Sequence, residues 1–151
     1  MAIRNIITEK DETLRKTSRP VTEFNQKLWD LLDDMAETMY QADGVGLAAP
    51  QVAILRQAVV IDVGEGLIEL INPKIVSQKG KQTEVEGCLS CPGEYGKVVR
   101  PAKVKVEAQD RNGNHFTIEG TELLARALCH EIDHLSGKIF KDIAVEMVDV
   151  K

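Results

Sequence analysis

Several features are scarce in this sequence, and each scarcity removes a class of protein. No apolar run approaches the ~20 residues of a membrane-spanning helix. The opening Met1-Ala2-Ile3-Arg4-Asn5 starts no apolar signal-peptide region. Cysteine is limited to Cys88, Cys91 and Cys129, an odd count that argues against a disulfide framework and fits a reducing, cytoplasmic setting. Positive charge is in deficit: the formal net charge is −5, which provides no electrostatic basis for binding nucleic acid. There is no internal repeat and no low-complexity linker. The 151 residues suffice for one domain that buries about two-thirds of its unfolded surface, so residues 1–151 are read as a single domain.

Histidine is also scarce, with three in the chain, yet two of them fall in His130-Glu131-Ile132-Asp133-His134. This H-E-x-x-H pattern lies in a segment with helical periodicity. Side chains at i and i+4 project from one side of a helix, so both imidazoles can reach one metal ion. Glu131 points in a neighbouring direction, where it can take a proton from water without being a ligand. On the helical wheel Leu123, Ala127, His130 and His134 share one face, and Leu124, Leu128, Ile132 and Leu135 another. The second face packs in the core while the first presents ligands, with small Ala127 leaving room beside them. The helix is expected to start at Gly120-Thr121, run to about Ser136 and stop at Gly137. The third histidine, His115, sits beside a turn and reads as a solvated strand residue.

The remaining chain reads as one further long helix and many strands. Phe24 to Gln41 carries Phe24, Leu28, Leu31, Leu32, Met35 and Met39 in one apolar stripe, with Thr22 as N-cap and Asp43-Gly44 as its end. A single helical turn is expected near Asp11–Arg15, and Arg15, Lys16 and Arg19 read as a solvated face. Strands are expected at Gln57–Val63, Ile68–Asn72, Lys74–Gln78, Thr83–Glu86, Lys97–Arg100 and Lys103–Gln109, with His115–Glu119 returning after an Asp110–Asn114 hairpin turn. A closing strand is expected within Ile139–Val148. The pattern predicts an α+β fold: mostly antiparallel sheets packed around the H-E-x-x-H helix, with one N-terminal helix.

A catalytic metal site needs a third protein ligand and an open position. Downstream candidates are Asp142, Glu146 and Asp149. Upstream, Cys88 and Cys91 are better donors because a thiolate is soft and anionic. Cys88-Leu89-Ser90-Cys91 also matches C-x-x-C, but Pro92-Gly93 argues against the helix start of a redox motif, and a zinc ribbon would need a second pair. Cys91 before Pro92 is equally a buried thiol ahead of a turn, and Cys129 reads as a buried thiol. Gly44-Val45-Gly46-Leu47-Ala48-Ala49-Pro50-Gln51 is no phosphate loop, since no Gly-Lys-Ser/Thr follows; its glycines permit close approach of backbone to a ligand.

Three segments in order, Gly44 to Gln51, Glu86 to Ser90 and His130 to His134, resemble the motifs of the peptide deformylase family, and the resemblance covers nearly the whole chain. It implies a divalent metal held by Cys88, His130 and His134: Fe2+ by nature, with Zn2+, Ni2+ or Co2+ able to substitute. It implies hydrolytic removal of the formyl group from nascent formyl-Met peptides, with Glu131 as general acid/base. It further implies Gln51 and the Leu89 N–H as oxyanion donors, a methionine pocket near Val45, Glu86, Leu123 and Ala127, and contact of Gly46 with the substrate backbone. Glu86 is a candidate partner for Arg100. Many family members carry valine or isoleucine at Cys91, and a second thiol so near the ligand is expected to make the site prone to oxidation. Members with a long C-terminal helix use it to dock on the ribosome; the chain ends about a dozen residues past its last helix, so that mode is not expected here. Competing readings are another metal-dependent amidase or peptidase on the same Cys/His/His site, and a metal-binding or redox-sensing protein without catalysis. The last gives Glu131 and Gln51 no task.

Overall fold

The structure is a computed structural model and describes residues 2–149. A 3-10 turn at Glu12–Arg15 precedes helix α1 (Gln26–Gln41). Strands β1 (Gly46–Ala48), β2 (Ala58–Ile61), β3 (Ile68–Lys79), β4 (Gln82–Cys88), β5 (Cys91–Arg100), β6 (Lys103–Gln109) and β7 (His115–Thr121) follow. Helix α2 (Glu122–Leu135) and strand β8 (Glu146–Val148) close the order. All strand pairings are antiparallel, in one sheet ordered β1-β2-β3-β6-β7 and another ordered β4-β5-β8. This is the expected α+β class, with α2 as its middle element. No helix of the described residues is long and apolar enough to cross a membrane.

The apolar run of β2 has a direct cause. Successive strand side chains point to opposite faces. Ala58 and Val60 pack with Leu28, Leu31, Leu32, Met35 and Met39 of α1, whereas Val59 and Ile61 pack with Ala125, Leu128 and Leu135 of α2. With a helix on each face, neither side of β2 is wet, so alternation disappears. In β6, Val104, Val106 and Ala108 are buried while Lys103, Lys105 and Glu107 are exposed, as the sequence alternation predicted. A third cluster of Leu14, Cys91, Val98, Ile139 and Phe140 joins the smaller sheet to the chain ends.

Several boundaries differ from the sequence reading. Helix α1 starts two residues later than Phe24, because Asn25 rather than Thr22 caps it and accepts from the Leu28 N–H. Phe24, ahead of the helix, still packs against the core cluster of α1 and also lies against Gly113 of the β6–β7 turn. The left-handed residue after α1 is Asp43 (φ 57°) and not Gly44. Gly44 is needed for a different reason: a Cβ there would lie 2.7 Å from Leu89 Cδ1. Helix α2 occupies Glu122–Leu135, with Thr121 before it and Ser136 after it. Gly137 does end it at φ 76°, and a Cβ there would overlap the Arg15 carbonyl.

The two strands expected at Ile68–Asn72 and Lys74–Gln78 form one bent strand. Asn72 sits at φ 51° within β3, at a register shift against β6. Its side chain compensates by accepting from the Val21 N–H (2.8 Å) and donating to Val21 O (2.9 Å) and Gln109 Oε1 (2.8 Å). Asparagine tolerates the left-handed region better than most residues. Asn72→Ala should therefore lower unfolding stability by about 3 kcal/mol, and Asn72→Gly by less, because glycine removes only the bonds and not the backbone compatibility. Urea unfolding of both variants checks this; equal losses would mean that the backbone conformation contributes nothing.

Candidate functional site

Helix α2 presents Ala127, His130, Glu131 and His134 between the two sheets, and β4 and β1 face it. The ligand atoms of Cys88, His130 and His134 all lie within 4.8 Å of one another. Cys88 Sγ is 3.4 Å from His134 Nε2. The two imidazoles meet edge to face at 5.1 Å, and Phe140 stacks on His130 at 6.1 Å. A cavity of about 390 Å3 opens over this cluster. Val45, Gly46, Gln51, Glu86, Cys88, Leu89, Leu123, Ala127, His130 and Glu131 all line it. His134 is fully buried behind them.

Glu86 is the electrostatic centre. Arg100 grips its carboxylate through two N–H groups, Nε at 2.9 Å and Nη2 at 3.0 Å, and Arg126 Nη1 adds a third at 3.0 Å. His130 Nδ1 lies 2.8 Å from Glu86 Oε1. An ionised carboxylate only accepts, so Nδ1 carries the proton and Nε2 is left with its lone pair. Burial works against the Glu86 charge, but the bonds from His130 and Arg100 outweigh it and bring its pKa down to about 2. Arg100 also reaches Asp133 at 2.7 Å, and Arg126 reaches Gln82 at 2.7 Å. The Glu86–Arg100 pair was expected; Arg126, Gln82 and Asp133 were not. Arg126 stands one helical turn before His130, so the i, i+4 rule that linked His130 to His134 also brings Arg126 onto the same carboxylate. Glu86 lines the cavity but spends both oxygens inward.

Glu131 is placed by a missing side chain. Gly46 opens β1, and a Cβ on it would fall 2.6 Å from Glu131 Oε2. Glycine at 46 thus creates the slot that the carboxylate occupies. Burial, with the nearby Glu86 charge, raises the Glu131 pKa to about 7, although the adjacent His130 acts in the opposite direction. Glu131 Oε1 is buried without a hydrogen-bond partner among the described residues. Gln51 is held by its Oε1, which accepts from the Ala48 N–H (2.9 Å), while its Nε2 donates to Ser90 Oγ (3.1 Å) and approaches Cys88 Sγ (3.5 Å).

The donor set fits a divalent cation. Burial, then the neighbouring His130, holds His134 well below its ordinary pKa, in the neutral form that ligates. Burial also opposes charge on His130, but the Glu131 and Glu86 carboxylates together raise its pKa. The Cys88 thiol is pushed far up by its hydrogen bond to Cys91, then by burial and the Glu131 charge. A cation beside it reverses that balance, since a metal-bound thiol is deprotonated outright. One soft anionic sulfur, one imidazole with its tautomer fixed by a carboxylate and one neutral imidazole suit a borderline metal.

An antiparallel α+β fold around an H-E-x-x-H helix, with a thiol and a buried carboxylate beside a cavity, has the architecture of a metallohydrolase. Residues 3–149 match the family described as polypeptide deformylase. The peptide deformylase of Alkaliphilus metalliredigens is 63% identical over 142 residues, covering 94% of this chain and 97% of its own. That of Acetivibrio thermocellus is 59% identical over 149 residues, covering 99% of this chain and 88% of its own. Among solved structures, a peptide deformylase from Legionella pneumophila superposes with a TM-score of 0.92 at 50% identity, covering 94% of this chain and 86% of that one. A peptide deformylase from Synechococcus elongatus in complex with actinonin superposes at 0.91 with 41% identity, covering 93% of this chain and 78% of that one. The chain belongs to the peptide deformylase family, metalloenzymes that remove the N-formyl group from nascent polypeptides.

The buried network makes a stability prediction. Glu86→Ala leaves two buried guanidinium groups without their shared carboxylate and should lower unfolding stability by about 3–5 kcal/mol. Lys103→Ala breaks a 3.2 Å pair with Glu119 in which both side chains are about half exposed, and should change it by less than about 1 kcal/mol. Comparable shifts in urea midpoint for the two variants would contradict the assignment of Glu86 as the anchor.

Proposed function

We propose that the chain forms one metallohydrolase domain in which Cys88, His130 and His134 hold a divalent metal ion. The observation that carries this reading is the convergence of those three donors within 4.8 Å beneath the cavity. The donor chemistry suits several borderline metals, and family resemblance favours ferrous iron, with Zn2+, Ni2+ or Co2+ as substitutes. When bound, the metal supplies Lewis acidity, which makes water nucleophilic near neutral pH and polarises a carbonyl.

The residues divide the remaining work. Glu131, buried beside the cluster, takes the proton of the attacking water and returns it to the leaving amine as the formyl C–N bond breaks, so the products are formate and a free N-terminus. Gln51 Nε2 and the Leu89 N–H donate to the oxyanion that develops on the formyl oxygen. The Ala48 N–H holds Gln51 Oε1 and orients the amide, and Nε2 exchanges its long contact with Cys88 Sγ for the oxyanion while keeping Ser90 Oγ. Val45, Leu123 and Ala127 offer an apolar wall for the methionine side chain, and Gly46 offers backbone to the substrate chain. Glu86 contributes as the partner that orients His130 rather than by touching substrate. Substrates are nascent formyl-Met peptides, met at the ribosome in the cytoplasm.

Three experiments test these roles. Glu131→Gln should keep its metal but lose about 10²–10⁴ in kcat for formate release from formyl-Met-Ala-Ser, since an amide cannot accept the proton. A variant with full turnover would remove Glu131 from the mechanism. Chelation should abolish formate release, and added Fe2+, Ni2+ or Zn2+ should restore it to different extents. Glu86→Gln should weaken metal binding by about 10–100-fold, because the imidazole loses its orienting carboxylate. Metal content after dialysis against a competing chelator reads this directly, and unchanged retention would sink the orienting role.

A further inference from the structure

The hydrolytic mechanism leaves Cys91 without a task. Cys88 and Cys91 are cross-strand partners at the β4–β5 turn, joined by Leu89-Ser90. Directly opposed residues of an antiparallel pair have Cα atoms about 4.5–5.5 Å apart, inside the ~4.4–6.8 Å span of disulfides. The register jumps from Gly87 opposite Tyr95 to Cys88 opposite Cys91, which leaves Pro92–Glu94 looped out of the β4 ladder beside the pair.

Exposure of the two sulfurs is asymmetric. Cys88 lines the cavity, where a small solute reaches it. Cys91 is 1% exposed and packs with Leu14, Val98, Ile139 and Phe140. On its other side lie the carboxylates of Glu9 and Glu94, within 4.8 Å of its sulfur. Lys141 Nζ holds those two together at 2.9–3.0 Å. An oxidant therefore meets Cys88 first, and Cys91 can be oxidised only through Cys88.

We propose that Cys91 is a resolving thiol: a peroxide entering the cavity converts Cys88 and Cys91 to a disulfide, which releases the metal and spares Cys88 from irreversible oxidation. The Cys88 sulfur attacks one peroxide oxygen, the O–O bond breaks, and water leaves a sulfenic acid, with sulfur oxidised by two electrons and peroxide reduced by two. Cys91 sulfur then attacks the sulfenic sulfur, the S–O bond breaks, and the hydroxyl departs as water with the Cys91 proton. The sum is two thiols plus one peroxide giving a disulfide and two waters; starting from a metal-bound thiolate, solvent supplies one proton. The disulfide sulfur is no longer an anionic donor, so the cation is lost until a reductant restores both thiols. Metal release rests on the proposed ligand role of Cys88, whereas formation of the disulfide does not.

The test uses nickel-loaded wild type and Cys91→Val treated with hydrogen peroxide. Non-reducing mass spectrometry follows the tryptic peptide Gln82–Lys97, which contains both cysteines, and a metal-binding dye follows release. In wild type the peptide should become lighter by two hydrogens in step with nickel release. Dithiothreitol plus nickel should then restore at least about fivefold more activity than in Cys91→Val, where Cys88 should instead gain two or three oxygens. Cys91→Val should have wild-type turnover before treatment. A disulfide that forms without nickel release supports the resolving thiol and overturns Cys88 as ligand. Oxygen addition at Cys88 in both proteins, with equal recovery and no disulfide, overturns the inference while leaving the ligand assignment intact.

Discussion

A carboxylate in a protein interior must be paired, and Glu86 is paired three times over. Arg100 comes from β5, Arg126 and His130 from α2, and Glu86 itself from β4. One side chain therefore ties the smaller sheet to the helix that carries the H-E-x-x-H motif. The consequence reaches two residues along β4: once Glu86 is docked on α2, Cys88 is delivered to the histidines. The third donor, 42 residues before His130 in sequence, owes its position to this ion cluster as much as to apolar packing. Removing one partner from such a buried group is strongly destabilising, because the others stay charged and dry.

Glycine sets the other half of the arrangement by leaving space. Gly46 yields the volume that the Glu131 carboxylate fills, and Gly44 yields the volume that Leu89 fills. Both sit in the first motif, while the groups they admit belong to the third and second. The three motifs are thus three sides of one packing problem. Their order along the chain reflects the path β1, then the β4–β5 turn, then α2.

Much of this was legible from residue pattern. Helix α2 was readable because 3.6-residue periodicity, the histidine pair and a terminal Gly137 agree with one another. Strand β6 was readable because one of its faces is wet, so its alternation survives. Long-range compensation was harder to read. Asn72 carries β3 through a left-handed position that a sequence-based reading treats as a break, because the three side-chain bonds that stabilise it come from Val21 and Gln109. Pro92-Gly93 reads in sequence as a turn after Cys91, yet both residues lie in a bulge within β5. Of the site, the ligand candidates and Glu131 were visible as chemistry, but Arg126 was hidden: an arginine in a helix ordinarily reads as solvated, and only the position of Glu86 across the sheet shows it to be buried.

The central claim is that one cysteine and both helical histidines, but not the neighbouring Cys91, hold the metal. X-ray absorption at the zinc edge of the zinc-loaded protein measures this directly. The account predicts one sulfur at about 2.3 Å and two imidazole nitrogens at about 2.0–2.1 Å, with any remaining donor an oxygen. Two sulfurs in the shell, or none, would contradict it.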